Sequence, residues 1–144
     1  MIDKSGEWWR GESFEDLDEY LRNQTADAYP AERVGQSRCV SCGSTSFRLR
    51  VDNEEGCAER QCTSCAAIAL MVDSEDAVDD AELEVVTCPC GGEALELGVG
   101  FSLRADGEVK WVTVAYRCLA CGVLGSPVDW KVDYGPTGHL FDAV

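Results

Sequence analysis

A chain of 144 residues with 27 acidic and 12 basic side chains carries a formal charge of -15. That length fits one or two small domains and excludes a large multidomain enzyme. Hydrophobic residues at 45% and charged residues at 27% exclude wholesale disorder, and the acid excess argues against broad binding to phosphate backbones, where affinity comes from lysine and arginine displacing counterions.

Residues 1–36 form a cysteine-free N-terminal segment. Met1-Ile2-Asp3-Lys4-Ser5-Gly6-Glu7-Trp8-Trp9 lacks the basic flank and apolar stretch of a secretory signal, and no apolar run approaches a membrane span of roughly 20 residues. The expected location is cytoplasmic. Phe14, Leu17, Tyr20 and Leu21 recur at helical spacing among acids, with Ser13 placed to cap, which predicts an amphipathic helix over about 14–23. A helix this short needs a surface to dock on.

From Cys39 onward the pattern changes to strands and turns. Phe47, Leu49 and Val51 alternate with Arg48 and Arg50, and residues 66–72 read as a buried strand. Residues 73–83 read as an acidic linker: seven of the twelve residues over 73–84 are Asp or Glu. Strands over 94–104 and 109–117 flank Asp106-Gly107, a hairpin-turn signal. A half-buried strand is expected over 128–134, and the tail from 135 to 144 is expected to fray.

Eight of the nine cysteines fall in four close pairs: Cys39/Cys42, Cys62/Cys65, Cys88/Cys90 and Cys118/Cys121. Three are CxxC and one is CxC. Two pairs per half supply four thiolates each, the set a tetrahedral metal needs with metal–sulfur bonds near ~2.3 Å. Disulfides would require an oxidising compartment, and a redox CxxC normally comes singly in a βαβ unit. Zinc suits all-sulfur ligation without redox chemistry, and iron fits the same geometry. Two Zn²⁺ ions are therefore expected, with iron as the alternative. The Cys88-Pro89-Cys90 turn is the least standard element. Cys57 is left over and reads as a small packing residue. His139 stands alone.

By this spacing the modules over 37–72 and 84–134 resemble zinc ribbons, the broad class of β-hairpin folds that includes rubredoxins and the ribbons of transcription factors. Each half has a cysteine pair followed by glycine (Cys42-Gly43; Cys90-Gly91), a hairpin and a second pair, so a duplication is the simplest account; the first hairpin spans 19 residues between pairs and the second 27. The expected fold is small α+β, mainly β: one N-terminal helix and two tandem Cys₄ modules of antiparallel hairpins. The resemblance implies fold and metal, not function.

Three functional readings follow. The first is a non-enzymatic acidic module that binds a basic protein partner, as an adaptor or inhibitor does. The second is a transcription-associated ribbon contacting nucleic acid or RNA polymerase through Arg38, Arg48, Arg50 and Arg60. Its tip, Asp52-Asn53-Glu54-Glu55, resembles the acidic hairpin tip of transcription-elongation-factor ribbons. The third is a rubredoxin-like iron electron carrier. No nucleophilic triad, HExxH or phosphate-cradling glycine motif is present, so no enzymatic activity is expected. Eight thiolates lower the formal charge of -15 by eight and two divalent ions raise it by four, to -19, which disfavours nucleic acid further.

Overall fold

Apolar alternation and turn chemistry specify strands, and the computed structural model, which describes residues 1–144, is one helix and an antiparallel sheet of eight strands. Helix α1 (Phe14–Gln24) is followed by β1 (Arg33–Gln36), β2 (Phe47–Asp52), β3 (Cys57–Cys62), β4 (Ile68–Leu70), β5 (Glu84–Val85), β6 (Leu95–Leu103), β7 (Val109–Cys118) and β8 (Leu124–Lys131). Short 3-10 turns occupy Ser74–Asp76, Val78–Asp80 and Gly138–Asp142. The strand order is β4-β3-β2-β6-β7-β8, with β1 added to β6 and β5 added to β2. No helix is long and apolar enough to cross a membrane.

The two hairpins, β2–β3 and β6–β7, meet where Phe47 pairs with Leu95, the first residues of β2 and β6. Because the pairing is antiparallel, the hairpins run in opposite directions from that point. Beyond it each inner strand has a free edge, and unpaired backbone groups there carry a cost. The lead-in segment of the opposite half covers each edge. Gln36, three residues before Cys39, pairs with Gly98, three residues after Leu95. Val85, three residues before Cys88, pairs with Arg50, three residues after Phe47. The Ser37 N–H donates to Leu97 at 3.0 Å and the Val86 N–H to Leu49 at 2.8 Å, again at equivalent positions. This two-fold correspondence is what a duplication produces. It also exchanges strands between the halves, so neither satisfies its own edge.

One apolar core of 21 buried residues draws on both halves, including Phe47, Leu49, Leu95, Leu97, Val99, Phe101 and Trp130. Strand β6 is buried on both faces. Leu95, Leu97, Val99 and Phe101 enter this core, while Gly98 and Gly100 face the other way, beneath α1. A Cβ at Gly98 would lie 3.2 Å from Leu21 and 3.3 Å from Leu17, and one at Gly100 only 2.9 Å from Ala31. The helix buries Leu17 and Leu21 completely, a gain of about 1.5–3 kcal/mol for each side chain. Its docking surface is therefore this chain's own sheet. Ser13 occupies the cap position but makes no side-chain cap bond. Asp16 instead reaches back and accepts the Glu12 N–H at 2.8 Å.

Several expectations are corrected. The 66–72 segment forms only a three-residue edge strand with Ile68 61% exposed, because β4 pairs with β3 alone. Strand β8 starts at Leu124 and ends at Lys131, although Val128, Trp130 and Val132 are buried as the alternation predicts. The acidic 73–83 segment is anchored at its start. Asp73 accepts the Trp130 indole N–H and the Tyr134 hydroxyl, each at 2.8 Å, and Ser74 is wholly buried. The segment after 134 does not fray. Leu140 is wholly buried, Phe141 packs edge-on against Phe101 at 4.9 Å, and the Arg33 guanidinium lies 3.9 Å over the Phe141 ring. Glu108 accepts the Thr137 N–H at 2.6 Å, and Thr137 in turn accepts the Val109 N–H at 2.8 Å, tying the segment to the second hairpin.

Gly100→Val is expected to destabilise the protein by about 1–3 kcal/mol, the usual cost of overpacking. A valine there must displace Ala31 and lift α1 off the sheet. Denaturant unfolding of the two proteins measures the difference, and equal midpoints would contradict this account of the helix contact.

Candidate metal centre

Four tight turns carry the eight paired cysteines, and they share one backbone design. The N–H of the residue after the second cysteine donates to the carbonyl of the first: Gly43 to Cys39, Ala66 to Cys62, Gly91 to Cys88 and Gly122 to Cys118, at 2.8–2.9 Å. The N–H of each first cysteine donates onward, to Ser44, Ala67, Gly92 and Val123 respectively, at 2.8–2.9 Å. The residue after the second cysteine has positive φ in all four, between 66° and 90°. Glycine takes that conformation freely in three; Ala66 takes it against its Cβ. The CxC turn closes the same pair of bonds with one residue fewer.

The turns bring the sulfurs together as two sets, Cys39/Cys42/Cys62/Cys65 and Cys88/Cys90/Cys118/Cys121, with all sulfurs of a set within 4.8 Å of one another. The nearest contacts are 3.5 Å for Cys39–Cys65, 3.5 Å for Cys42–Cys62, 3.5 Å for Cys88–Cys121 and 3.7 Å for Cys90–Cys118. A tetrahedron with metal–sulfur bonds of ~2.3 Å has sulfur–sulfur edges of about 3.8 Å, whereas a disulfide brings sulfurs to ~2.05 Å. All nine cysteines are free thiols. Each set could therefore hold one metal ion, with every coordination position filled by protein sulfur. Cys39, Cys62, Cys88 and Cys118 are buried, while Cys42, Cys65 and Cys90 are exposed and Cys121 is half-buried, so each centre sits at the core boundary.

The electrostatics favour a cation. Main-chain N–H groups of Cys65 and Ser64 bring the Cys62 thiol down to about 6, and the Gly92 N–H leads in bringing Cys90 down to about 7. Cys39 is lowered by the N–H groups of Cys42 and Ser41. At Cys42 the Ser44 N–H favours the thiolate, yet the neighbouring Cys62 sulfur and burial push the thiol up to about 12. Burial raises Cys88 and Cys121. In each set some thiols ionise readily and the rest resist. Four thiolates coexist only around a positive ion.

Arg60 was expected at a nucleic-acid face with Arg38, Arg48 and Arg50; the register overturns that. Arg60 pairs with Leu49 and so lies on the face opposite Arg48 and Arg50, where it is 8% exposed. Its guanidinium sits 4.6 Å over the Phe47 ring and its Nε has no hydrogen-bond partner. Burial lowers its pKa, and the charges on Cys39 and Cys62 oppose that shift. The first sulfur set thus offsets only part of the cost of burying this cation. Arg50 pairs with Glu59 at 2.9 Å, Arg38 donates to the Gly43 carbonyl at 3.2 Å, and Arg48 is exposed. The acidic tip does not project. Asp52 accepts N–H groups from Glu54, Glu55 and Glu82, Asn53 accepts the Asp129 N–H at 3.2 Å, and a Cβ at Gly56 would lie 2.7 Å from Trp130.

Cys57 is wholly buried with its sulfur 3.7 Å from the Ser74 carbonyl, and burial raises its pKa. It packs as an apolar residue and is poor material for a nucleophile. His139 is exposed and belongs to neither sulfur set. Sequence reasoning missed Gly92. A Cβ there would lie 3.2 Å from the Cys118 sulfur and 3.3 Å from that of Cys90. The shorter CxC turn runs the following backbone against the sulfurs, and the Gly-Gly pair is the signal that marks it.

Gly92→Val is expected to lower bound metal from two ions per chain to one, read by elemental analysis of the purified protein; two ions retained would contradict the fit. Acidification is expected to release both ions. Metal-bound thiols have depressed pKa values, so their stabilisation is complete above the ordinary thiol value of ~8.5 and is lost as pH falls through the bound-state values. A metal content unchanged down to carboxylate pH would contradict sulfur ligation. Comparison of the chain with protein-family models, with curated proteins and with solved structures finds no match.

Proposed function

We propose that this protein is a non-catalytic scaffold braced by two structural Zn²⁺ ions, and that it presents an acidic surface to a basic protein partner. The observation that carries this reading is the closure of both sulfur sets. Four protein sulfurs leave a tetrahedral ion no position for water or substrate, which separates structural from catalytic zinc. The hairpin with a cysteine turn at each of its two ends is read as a zinc ribbon, used twice. Zinc is favoured over iron because thiolate ligation suits it and a scaffold needs no redox chemistry. Free thiols held for metal suit a reducing compartment, the cytoplasm.

Partner binding rests on charge and on exposed apolar points. With both ions bound the formal charge is -19, which steers a basic partner over long range. Val40, 93% exposed at the tip of the first cysteine turn, and Leu119, 41% exposed in the last, offer apolar contacts. The transcription reading loses support, because Arg60 is inward and the acidic tip is tied to β8.

Two measurements test this. Purified protein is expected to be colourless with two zinc ions per chain; a visible thiolate–iron band would replace the scaffold reading with electron transfer. Affinity capture from the native cell at low salt is expected to recover a basic protein that is lost at high salt and on reversing Glu75, Asp76, Asp79 and Asp80 to lysine. Capture indifferent to both would remove the acidic-surface reading.

A further inference from the structure

The second hairpin ends in a groove that none of the metal chemistry uses. Tyr29 stacks on Trp111 with ring centroids 4.0 Å apart and planes 3° from parallel. Both partners are held. Thr25 donates to the Leu21 carbonyl at 2.8 Å and accepts the Ala31 N–H at 2.9 Å, which closes the loop that carries Tyr29. The Trp111 indole N–H donates to Asp129 at 2.9 Å. The stack forms one wall of a groove of ≈ 330 Å³, and Arg104, Lys110, Lys131 and Asp133 complete its polar lining.

The charge here runs against the rest of the molecule. Acids outnumber bases 27 to 12 in the chain, yet three bases face one acid in this groove. Lys110 and Lys131 are two of the chain's three lysines, and neither is in an ion pair. Arg104 is pinned at the rim by its bond to the Tyr134 carbonyl at 3.0 Å and is ion-paired with Asp106 at 3.7 Å, which leaves the two lysines as the unpaired cations of the groove. Trp111 and Cys118 are seven residues apart on β7, so the groove lies roughly 24 Å from the second sulfur set. It is also separate from the exposed Arg48.

We propose that this groove binds a planar aromatic anion of the nucleoside-monophosphate class. Aromatic side chains offer a stacking surface to any base, and lysine and arginine recognise phosphate as point charge and fork. The base packs against the Tyr29–Trp111 wall, and Lys110 and Lys131 hold the phosphate, with Arg104 at the rim adding to the local positive charge. Asp133 supplies one acceptor for a sugar hydroxyl or an exocyclic amine. The groove suits a small ligand better than a nucleic-acid strand, because the surrounding acidic surface repels a continuing chain of phosphates.

The test follows the four tryptophan indole N–H resonances of the metal-loaded full chain during titration with AMP. Trp111 is expected to shift saturably. Adenosine is expected to bind about tenfold more weakly, and Lys110→Ala/Lys131→Ala to weaken AMP by about tenfold, the loss for two exposed charge contacts. Lys131→Glu, at the exposed position, repeats the charge test should the double variant fold poorly. Arg48→Ala is expected to change nothing. No Trp111 shift, adenosine as effective as AMP, or an equal loss on Arg48→Ala would overturn the proposal. An acidic peptide that moves the same resonance at lower concentration than AMP would overturn it in favour of a peptide site.

Discussion

The Phe47–Leu95 pair is the contact on which the rest of the structure depends. Phe47 is also paired with Cys62, and Leu95 with Cys118, so one row crosses β3, β2, β6 and β7 from one sulfur set to the other. Each set clamps the open end of its hairpin: the chain enters the hairpin from one cysteine pair and leaves into the other. With both ends clamped, the two inner strands can meet at their first residues and diverge. The divergence leaves two free edges, and the exchanged segments β1 and β5 close them. The convergence of the cysteine turns, the central contact and the strand exchange are thus one arrangement, because unpaired edges on either side would undo the contact between the hairpins.

Burial on both faces of β6 follows from this centre. The core residues of both hairpins fill one face, and Gly98 and Gly100 open the other to α1. The segment just before the helix reaches the last cysteine turn as well. Gly11 donates to the Gly122 carbonyl at 2.8 Å, within the last cysteine turn. An N-terminal segment that looks separable in the sequence is therefore packed against the sheet and hydrogen-bonded to a cysteine turn.

Charge is distributed with equal purpose. A strongly acidic chain solvates its surface with carboxylates, so the places where cations collect stand out. Arg60 is buried near the first sulfur set, whose charge opposes the effect of burial on the guanidinium without cancelling it. Lys110 and Lys131 line the aromatic groove. The arginines of β2 alternate outward as the sequence implies, but the cross-strand register sends Arg60 to the opposite face. A register is a property of two strands, and one strand's alternation cannot reveal it.

The sequence by itself determined the ligand sets, the helix and the hairpins. Cysteine spacing encodes sulfur convergence within a few residues, and apolar periodicity encodes elements of that length, so both are local and readable. Even the positive-φ position after each second cysteine is written as glycine in three turns of four. Only the tertiary structure decided that the halves share one sheet and one core, that β1 and β5 cross between them, and that the C-terminal segment is buried rather than loose. The strand exchanges alone join residues 33 to 68 positions apart, and they depend on which edges remain unpaired once the hairpins have formed. The fit of Gly92 against the sulfurs and the stack of Tyr29 on Trp111 belong to the same class: each rests on a close approach set by chain that lies elsewhere in the sequence or by a turn whose path spacing alone does not describe.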